Sequence, residues 1–330
     1  MKDRRALIVG CNGQDGTLLR MSLQSKNIET FGISRTSVTR FTPYLNSNSC
    51  EIVKDIIFNE LKLKDMLNNL RPTEIYYLAA HHTSSEIIEH ESSEEYKKYY
   101  NVQVIGLLNI LNSIRELSLQ TRIFYASSAL VFSTYDFLDK ILENSPIVPI
   151  GYYGLTKSQG VLICEYYRRK YSMHASVGHL FNHESHLRQS QYLSHKIIST
   201  AYLISKGKKD KLIIGDLRSI VDWGYAPDFV EAFQSIVKLD RPETFIVSTG
   251  EGRTVEEFVS RVFEYFKLDY RSYVITDESI QKRKTPPRIG DPSKLFQATD
   301  WRPTYNFSEM ITKLVNDYIN HYEAGNIRFN

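Results

Sequence analysis

Tyr153 and Lys157 stand four residues apart in a stretch, Tyr152 to Tyr171, that reads as a long helix, so their side chains share one face about a turn apart. An ammonium beside a phenol favours the phenolate, and such a phenol can exchange a proton with a carbonyl or hydroxyl while hydride moves at the same carbon. In a chain with 22 tyrosines the pair alone says little. Its position gives it weight, because it follows Ala126-Ser127-Ser128, the end of an apolar run, by a loop of suitable length. There a hydroxyl from Ser128, or from its neighbour Ser127, can hold the reacting oxygen, although serine at a strand end also caps turns.

A second constellation lies at the start of the chain. Gly10-Cys11-Asn12-Gly13-Gln14-Asp15-Gly16 follows an apolar run and opens into Thr17-Leu18-Leu19-Arg20, giving a strand, a glycine-rich turn and a helix start. Glycines let the backbone approach a pyrophosphate, and a helix N-terminus offers it N–H groups and partial positive charge. The next run ends at Ser34-Arg35 with no carboxylate for ribose hydroxyls, and the Arg35 fork suits a 2′-phosphate, which leads us to expect NADP(H) rather than NAD. Asp55-Ile56 and Leu78-Ala79-Ala80 end later runs, the first suited to an adenine and the second small enough for a dinucleotide to lie close.

These groups need a scaffold, and the sequence supplies its rhythm. Short apolar runs at Ala6 to Val9, Thr30 to Ile33, Ile52 to Val53, Ile75 to Leu78 and Ile123 to Ala126 alternate with helical patterns such as Asn101 to Ile114. The expected fold is α/β, a Rossmann-type doubly wound parallel sheet with a smaller C-terminal α/β substrate-binding lobe. Residues 1–180 would form the dinucleotide-binding domain and 181–330 mainly the substrate lobe. A strand and helix near 220–248, including Phe245 to Ser248, should return to the first.

Composition narrows the class. With 330 residues, 42% apolar and 24% charged, the chain can bury a large core. The net charge of +3 is small and both signs are scattered, which argues against a nucleic-acid partner. Cys11, Cys50 and Cys164 are too few and too dispersed for a disulfide framework or a Cys-rich zinc site. The opening Met1-Lys2-Asp3-Arg4-Arg5 turns directly into a short apolar stretch and nothing approaches a membrane span, so the expectation is a cytoplasmic protein without a membrane partner.

Together, the glycine loop, the serine strand end and the Tyr-Lys pair resemble the extended short-chain dehydrogenase/reductases. Further blocks bring the resemblance closest to the GDP-mannose 4,6-dehydratases: Gly13-Gln14-Asp15-Gly16, Arg71 to Tyr76, Leu180-Phe181-Asn182-His183-Glu184-Ser185, Asp222-Trp223-Gly224 with Asp228, and Gly290-Asp291-Pro292-Ser293-Lys294. The resemblance implies that Gly10 to Gly16, Arg35, Asp55, Ile56, Leu78, Ala79, Ala80, Ser127, Tyr153, Lys157, His183 and Arg188 contact NADP. It places Ser128, Asn182 and Lys196 towards a nucleotide sugar, with GDP the base expected by descent. No metal-ligand spacing surrounds His183. The stretch Arg35 to Tyr44 resembles a loop that crosses to a neighbouring subunit in relatives, which implies a homotetramer or homodimer.

One departure matters more than the matches. Where the dehydratases have a hydroxyl residue followed two positions later by glutamate, this chain has Ser128 and Leu130. Elimination of water across C5 and C6 needs a group that removes the C5 proton and returns one to the leaving hydroxyl, and leucine does neither. What remains suffices for oxidation, reduction or epimerisation at C4. We therefore expect a 4-keto reductase, 4-dehydrogenase or 4-epimerase of surface polysaccharide synthesis. The alternatives are a 4,6-dehydratase whose acid has moved to Asp136, Asp139 or Glu143, and a cofactor-binding scaffold without activity. Leu187-Arg188 and Ile220-Val221 stand where the resemblance expects paired basic residues, which implies an altered substrate.

Overall fold

The computed structural model describes residues 4–35, 52–54, 56–82, 92–133, 140–280 and 286–327. Asp55, Asp136, Asp139 and nearly all of the stretch Arg35 to Tyr44 lie outside these, Arg35 itself lying within. Six strands succeed one another through the first part of the chain: β1 (Arg5–Val9), β2 (Glu29–Ser34), β3 (Ile52–Lys54), β4 (Glu74–Tyr77), β5 (Arg122–Ser128) and β6 (Ala175–Leu180). The remaining strands are β7 (Asn182–Glu184), β8 (Leu212–Ile214), β9 (Ile220–Tyr225), β10 (Thr244–Val247), β11 (Gly252–Thr254) and β12 (Val274–Thr276).

The main sheet has the order β10-β6-β5-β4-β1-β2-β3, and every pair in it is parallel. Both faces are covered, as a parallel sheet requires. Alternate residues of β1 show how: Ala6 and Ile8 join one apolar cluster with Leu19, Phe124 and Phe233, while Leu7 and Val9 join another with Ile75, Tyr125 and Val161. The helices are α1 (Gln14–Ser25), α2 (Glu60–Leu70), α3 (Ser93–Tyr100), α4 (Gly106–Glu116), α5 (Gly151–Tyr171), α6 (Leu193–Ser205), α7 (Ala226–Lys238), α8 (Val255–Tyr265), α9 (Ser293–Ala298) and α10 (Phe307–Glu323). Helices α1 and α7 pack together over the first cluster, and α2, α4 and α5 cover the second. Strand order reverses between β1 and β4, and ligands of such sheets bind outside the strand ends at that point.

A third apolar cluster, with Ile197 and Ile198 of α6, Trp223 of β9, Phe258 of α8 and Leu314 of α10, supports the smaller sheets β11-β9-β7 and β12-β8. The buried Asp222 carboxylate fastens this part to the main sheet's edge. It accepts from Thr249 N at 2.9 Å, Thr249 Oγ1 at 2.6 Å, Gly250 N at 3.1 Å and Gly290 N at 3.2 Å. Burial raises its pKa to about 6 in spite of those four donors.

The helix expected from Asn101 to Ile114 is interrupted. Residues Asn101–Ile105 form a π-helical turn between α3 and α4. Here Tyr77 Oη donates to the Val102 carbonyl, and a Cβ on Gly106 would stand 2.4 Å from that same hydroxyl. The apolar spacing gives the helix but not this local accommodation of a buried tyrosine.

Candidate functional site

A cavity of about 770 Å³ opens at the C-terminal ends of β1, β4 and β5 and extends between the main sheet and the segments 182–193 and 214–223. Its floor is the glycine loop. Gly10 has φ +93°, and a Cβ there would lie 2.7 Å from Ala79 N; a Cβ on Gly16 would lie 2.3 Å from Gly10 O. Backbone atoms cannot yield as a flexible side chain would, so both positions require glycine. Gly13 caps α1 through its backbone, and Asn12, Leu78, Ala79 and Ala80 complete this wall.

The loop is tied across the cavity to β7. Gln14 Nε2 donates to His183 O at 3.2 Å and Gln14 Oε1 accepts from Ser185 Oγ at 2.8 Å. Both Asp15 oxygens lie 3.1 Å from His183 Nε2, while His183 Nδ1 faces Phe181 O at 2.7 Å. An imidazole with an acceptor on each nitrogen is held as the cation. Burial opposes that charge, but the Asp15 charge and hydrogen bond overcome it and raise the His183 pKa. For Asp15, burial pulls upward and is outweighed by His183, with Gln14 and Arg188 assisting, which brings it to about 2.

The serine, tyrosine and lysine meet on the facing wall. Helix α5 starts hard against the turn after β5: Ile150 N donates to Leu130 O at 2.9 Å, and a Cβ on Gly154 would stand 2.2 Å from that oxygen. This close seat brings the Tyr153 phenol into hydrogen bonding with Ser128, whose Oγ also accepts from Leu130 N at 3.1 Å. Lys157 Nζ donates to Ala126 O at 2.6 Å and lies 5.7 Å from the Tyr153 ring centre. The electrostatics differ from the simple expectation. Burial raises the Tyr153 pKa above the ordinary phenol value, with the Ser128 hydrogen bond working the other way. Burial also lowers Lys157 to about 7. Desolvation penalises both charges more than their proximity rewards them, so Tyr153 is held as a protonated donor.

Most of the expected residues line this one cavity, including Arg35, Ser127, Ser128, Asn182 and Arg188. Two do not. Ile56 opens a 3₁₀ turn that rotates it into the core, and Ile57 and Phe58 face the cavity instead. Lys196 is not part of the wall, because the cavity meets α6 only at Leu193 and Lys196 lies about 4.5 Å further along the axis. Of the acids considered as replacements for a glutamate, Glu143 is tied through Oε1 to Ile246 N at 2.8 Å and does not line the cavity. Leu130 does line it, as do Leu187, Ile220 and Val221, so the apolar replacements face the ligand space.

Sequence reasoning missed His82, Tyr192 and Arg288, all on the cavity wall. His82 follows Ala79-Ala80 by two residues, and that adjacency was the available signal. Arg288 reaches the wall through a parallel bridge to Val221, which no local pattern announces.

The site's fit to a dinucleotide can be tested on its own atoms. The glycine cradle leaves no room for side chains between loop and ligand space, and Ser127 Oγ is buried on the cavity wall without a hydrogen-bond partner. Buried hydroxyls are normally satisfied, and a ligand in the cleft supplies what Ser127 lacks. No helix among the described residues is long and apolar enough to cross a membrane.

Comparison with known proteins agrees with this geometry. The sequence model of the family GDP-mannose 4,6 dehydratase matches residues 7–314. GDP-mannose 4,6 dehydratase 2 of Arabidopsis thaliana is 28% identical over 327 residues, covering 94% of this chain and 86% of its own. Among solved structures, dTDP-glucose 4,6-dehydratase from Bacillus anthracis in complex with NAD superposes with a TM-score of 0.83 at 17% identity, over 97% of this chain and 98% of the other. RMD from Pseudomonas aeruginosa complexed with NADPH gives 0.77 at 15% identity, over 96% and 98%.

Proposed function

The chain belongs to the GDP-mannose 4,6 dehydratase family, a family of enzymes, and from that premise we propose that it is an NADP(H)-dependent oxidoreductase acting at C4 of a nucleotide-linked sugar, with GDP the favoured base. The carrying observation is the turn after β5, where Ser128 hydrogen-bonds Tyr153 while Leu130, two residues on, presents only hydrocarbon to the same cavity. Proton exchange at the C4 oxygen is kept, and the carboxylate for elimination is absent from that position.

A bound nicotinamide supplies or accepts the hydride at C4. Gly10 to Gly16, Leu78 to Ala80, Ser127, Lys157, His183 and Arg188 would hold the cofactor, and Arg35 would select the 2′-phosphate. Tyr153, kept protonated by burial, donates its proton to a C4 carbonyl oxygen as that oxygen gains charge, or takes one from the hydroxyl in the reverse direction. Ser128 orients that oxygen. Lys157 ties α5 to the end of β5 through the Ala126 carbonyl, holding the phenol in place. Asn182 and Arg188 face the nucleotide sugar side, where Arg188 is anchored to Glu184 at 3.0 Å. We also propose a cytoplasmic homotetramer or homodimer, with residues 1–180 and a returning 220–248 segment for the cofactor and the rest for substrate.

A panel of GDP-, UDP- and dTDP-sugars with NADP⁺ or NADPH, read by mass spectrometry, tests this. The expected product differs from its substrate by two hydrogens or is a C4 epimer. A product lighter by one water overturns the reading in favour of a 4,6-dehydratase, the activity that the curated relatives' names carry.

A further inference from the structure

Two imidazoles follow the small-residue end of β4, and one of them stands at the reaction centre. His82 lines the cavity with its ring edge-on to Tyr153, ring centres 4.7 Å apart. Its Nδ1 lies 2.8 Å from Tyr192 Oη, and the two rings stack at 5.8 Å. Tyr192 is itself held in place by the Arg188 guanidinium, 4.6 Å over its ring. His81 turns elsewhere, to Glu95 at 3.2 Å and to Tyr99. A partner on Nδ1 fixes the orientation of an imidazole and leaves proton exchange to Nε2.

We propose that His82 is a second acid/base group of this cavity, exchanging the proton on a carbon flanking C4 when C4 is a carbonyl. It rests on the C4 reading above, since that carbonyl is what makes the neighbouring C–H acidic. In the step, His82 Nε2 takes the proton and the C–H electron pair forms a carbon–carbon double bond. The carbonyl pair moves to the C4 oxygen, where Tyr153 and Ser128 meet the charge. Return of a proton from the imidazole to the same carbon restores the ketone, with either configuration at that carbon, and no oxidant or reductant is consumed. Proton traffic lost at Leu130 thereby re-enters from β4.

The probe is GDP-4-keto-6-deoxymannose, already oxidised at C4, incubated in heavy water with the wild-type protein, His82→Asn or His82→Ala. Deuterium uptake is followed by mass spectrometry and located by NMR against a protein-free control. Wild type should accelerate exchange at a carbon flanking C4, and both variants should lose about 100-fold of that acceleration with NADP⁺ affinity unchanged within about twofold. Tyr192→Phe, which releases Nδ1, should fall between them. Exchange no faster than the control, or equal in wild type and His82→Asn, overturns the proposal. A wild type that reduces the probe with NADPH yet exchanges no carbon-bound proton defeats His82 alone; one that does neither defeats the C4 reading as well.

Discussion

The two walls of the cavity are built on different principles. On the cofactor side, backbone makes the surface: Gly10 and Gly16 cannot carry a Cβ, Ala79 and Ala80 lie against them, and Gln14 and Asp15 lock the loop to β7. On the sugar side, side chains from distant segments make it, and several positions where cations or an acid were expected carry Leu130, Leu187, Ile220 and Val221. A surface made by backbone tolerates almost no substitution. One made by side chains can change its chemistry while the fold stays as it is.

Four experiments press on that contrast. Tyr153→Phe should have the largest effect, reducing C4 turnover by about 10³-fold while NADP⁺ binding, measured by calorimetry, is retained; undiminished turnover would remove the reaction centre. Gly16→Ala should follow. It forces the loop off Gly10 O and should weaken NADP⁺ binding by about 100-fold, at a stability cost of about 1–3 kcal/mol. An unchanged dissociation constant would show that the loop does not carry the cofactor.

The Asp15–His183 pair comes next. Asp15, lowered to about 2, contributes stability that is fully present above about 4 and is lost as pH falls through about 2. His183, whose pKa is raised, contributes stability present below about 6.5 and lost as pH rises through its higher native value. Asp15→Asn should therefore cost about 2 kcal/mol between pH 5 and 6, and less at pH 9. A melting-temperature difference independent of pH would refute the ion pair. Smallest in magnitude, Arg35→Ala should reduce the preference for NADP⁺ over NAD⁺ by about tenfold; equal affinities in the unmutated protein would remove the argument for NADP.

The same contrast explains what could be read in advance. Strands β1, β2, β4 and β5 carry buried apolar runs whose period is visible locally, and the glycine loop is contiguous, so the sheet and its floor were legible. Phe245 to Ser248 was likewise readable as a returning strand, and β10 pairs with β6. The misses share another cause. Ile56 and Ile57 are identical in type, and only the 3₁₀ turn decides which one faces the ligand space. Lys196 has the right charge on the right helix, one turn too far along it. His82 meets Tyr153, and Arg288 meets Val221, through contacts 71 and 67 residues apart in the chain. The Tyr153 pKa follows from how deeply α5 seats against β5, which depends on Gly154 meeting Leu130 O rather than on the spacing to Lys157.

The bolt formed by Gln14, Asp15, His183 and Ser185 has a consequence for descent. It fixes what a lineage must keep, since altering any of these four loosens the floor and β7 together. It leaves Leu130, Ile220, Val221 and Arg288 outside its span, free to drift one residue at a time. A chain built this way can acquire a taste for a different sugar without ever passing through an ancestor that has lost its hydride chemistry.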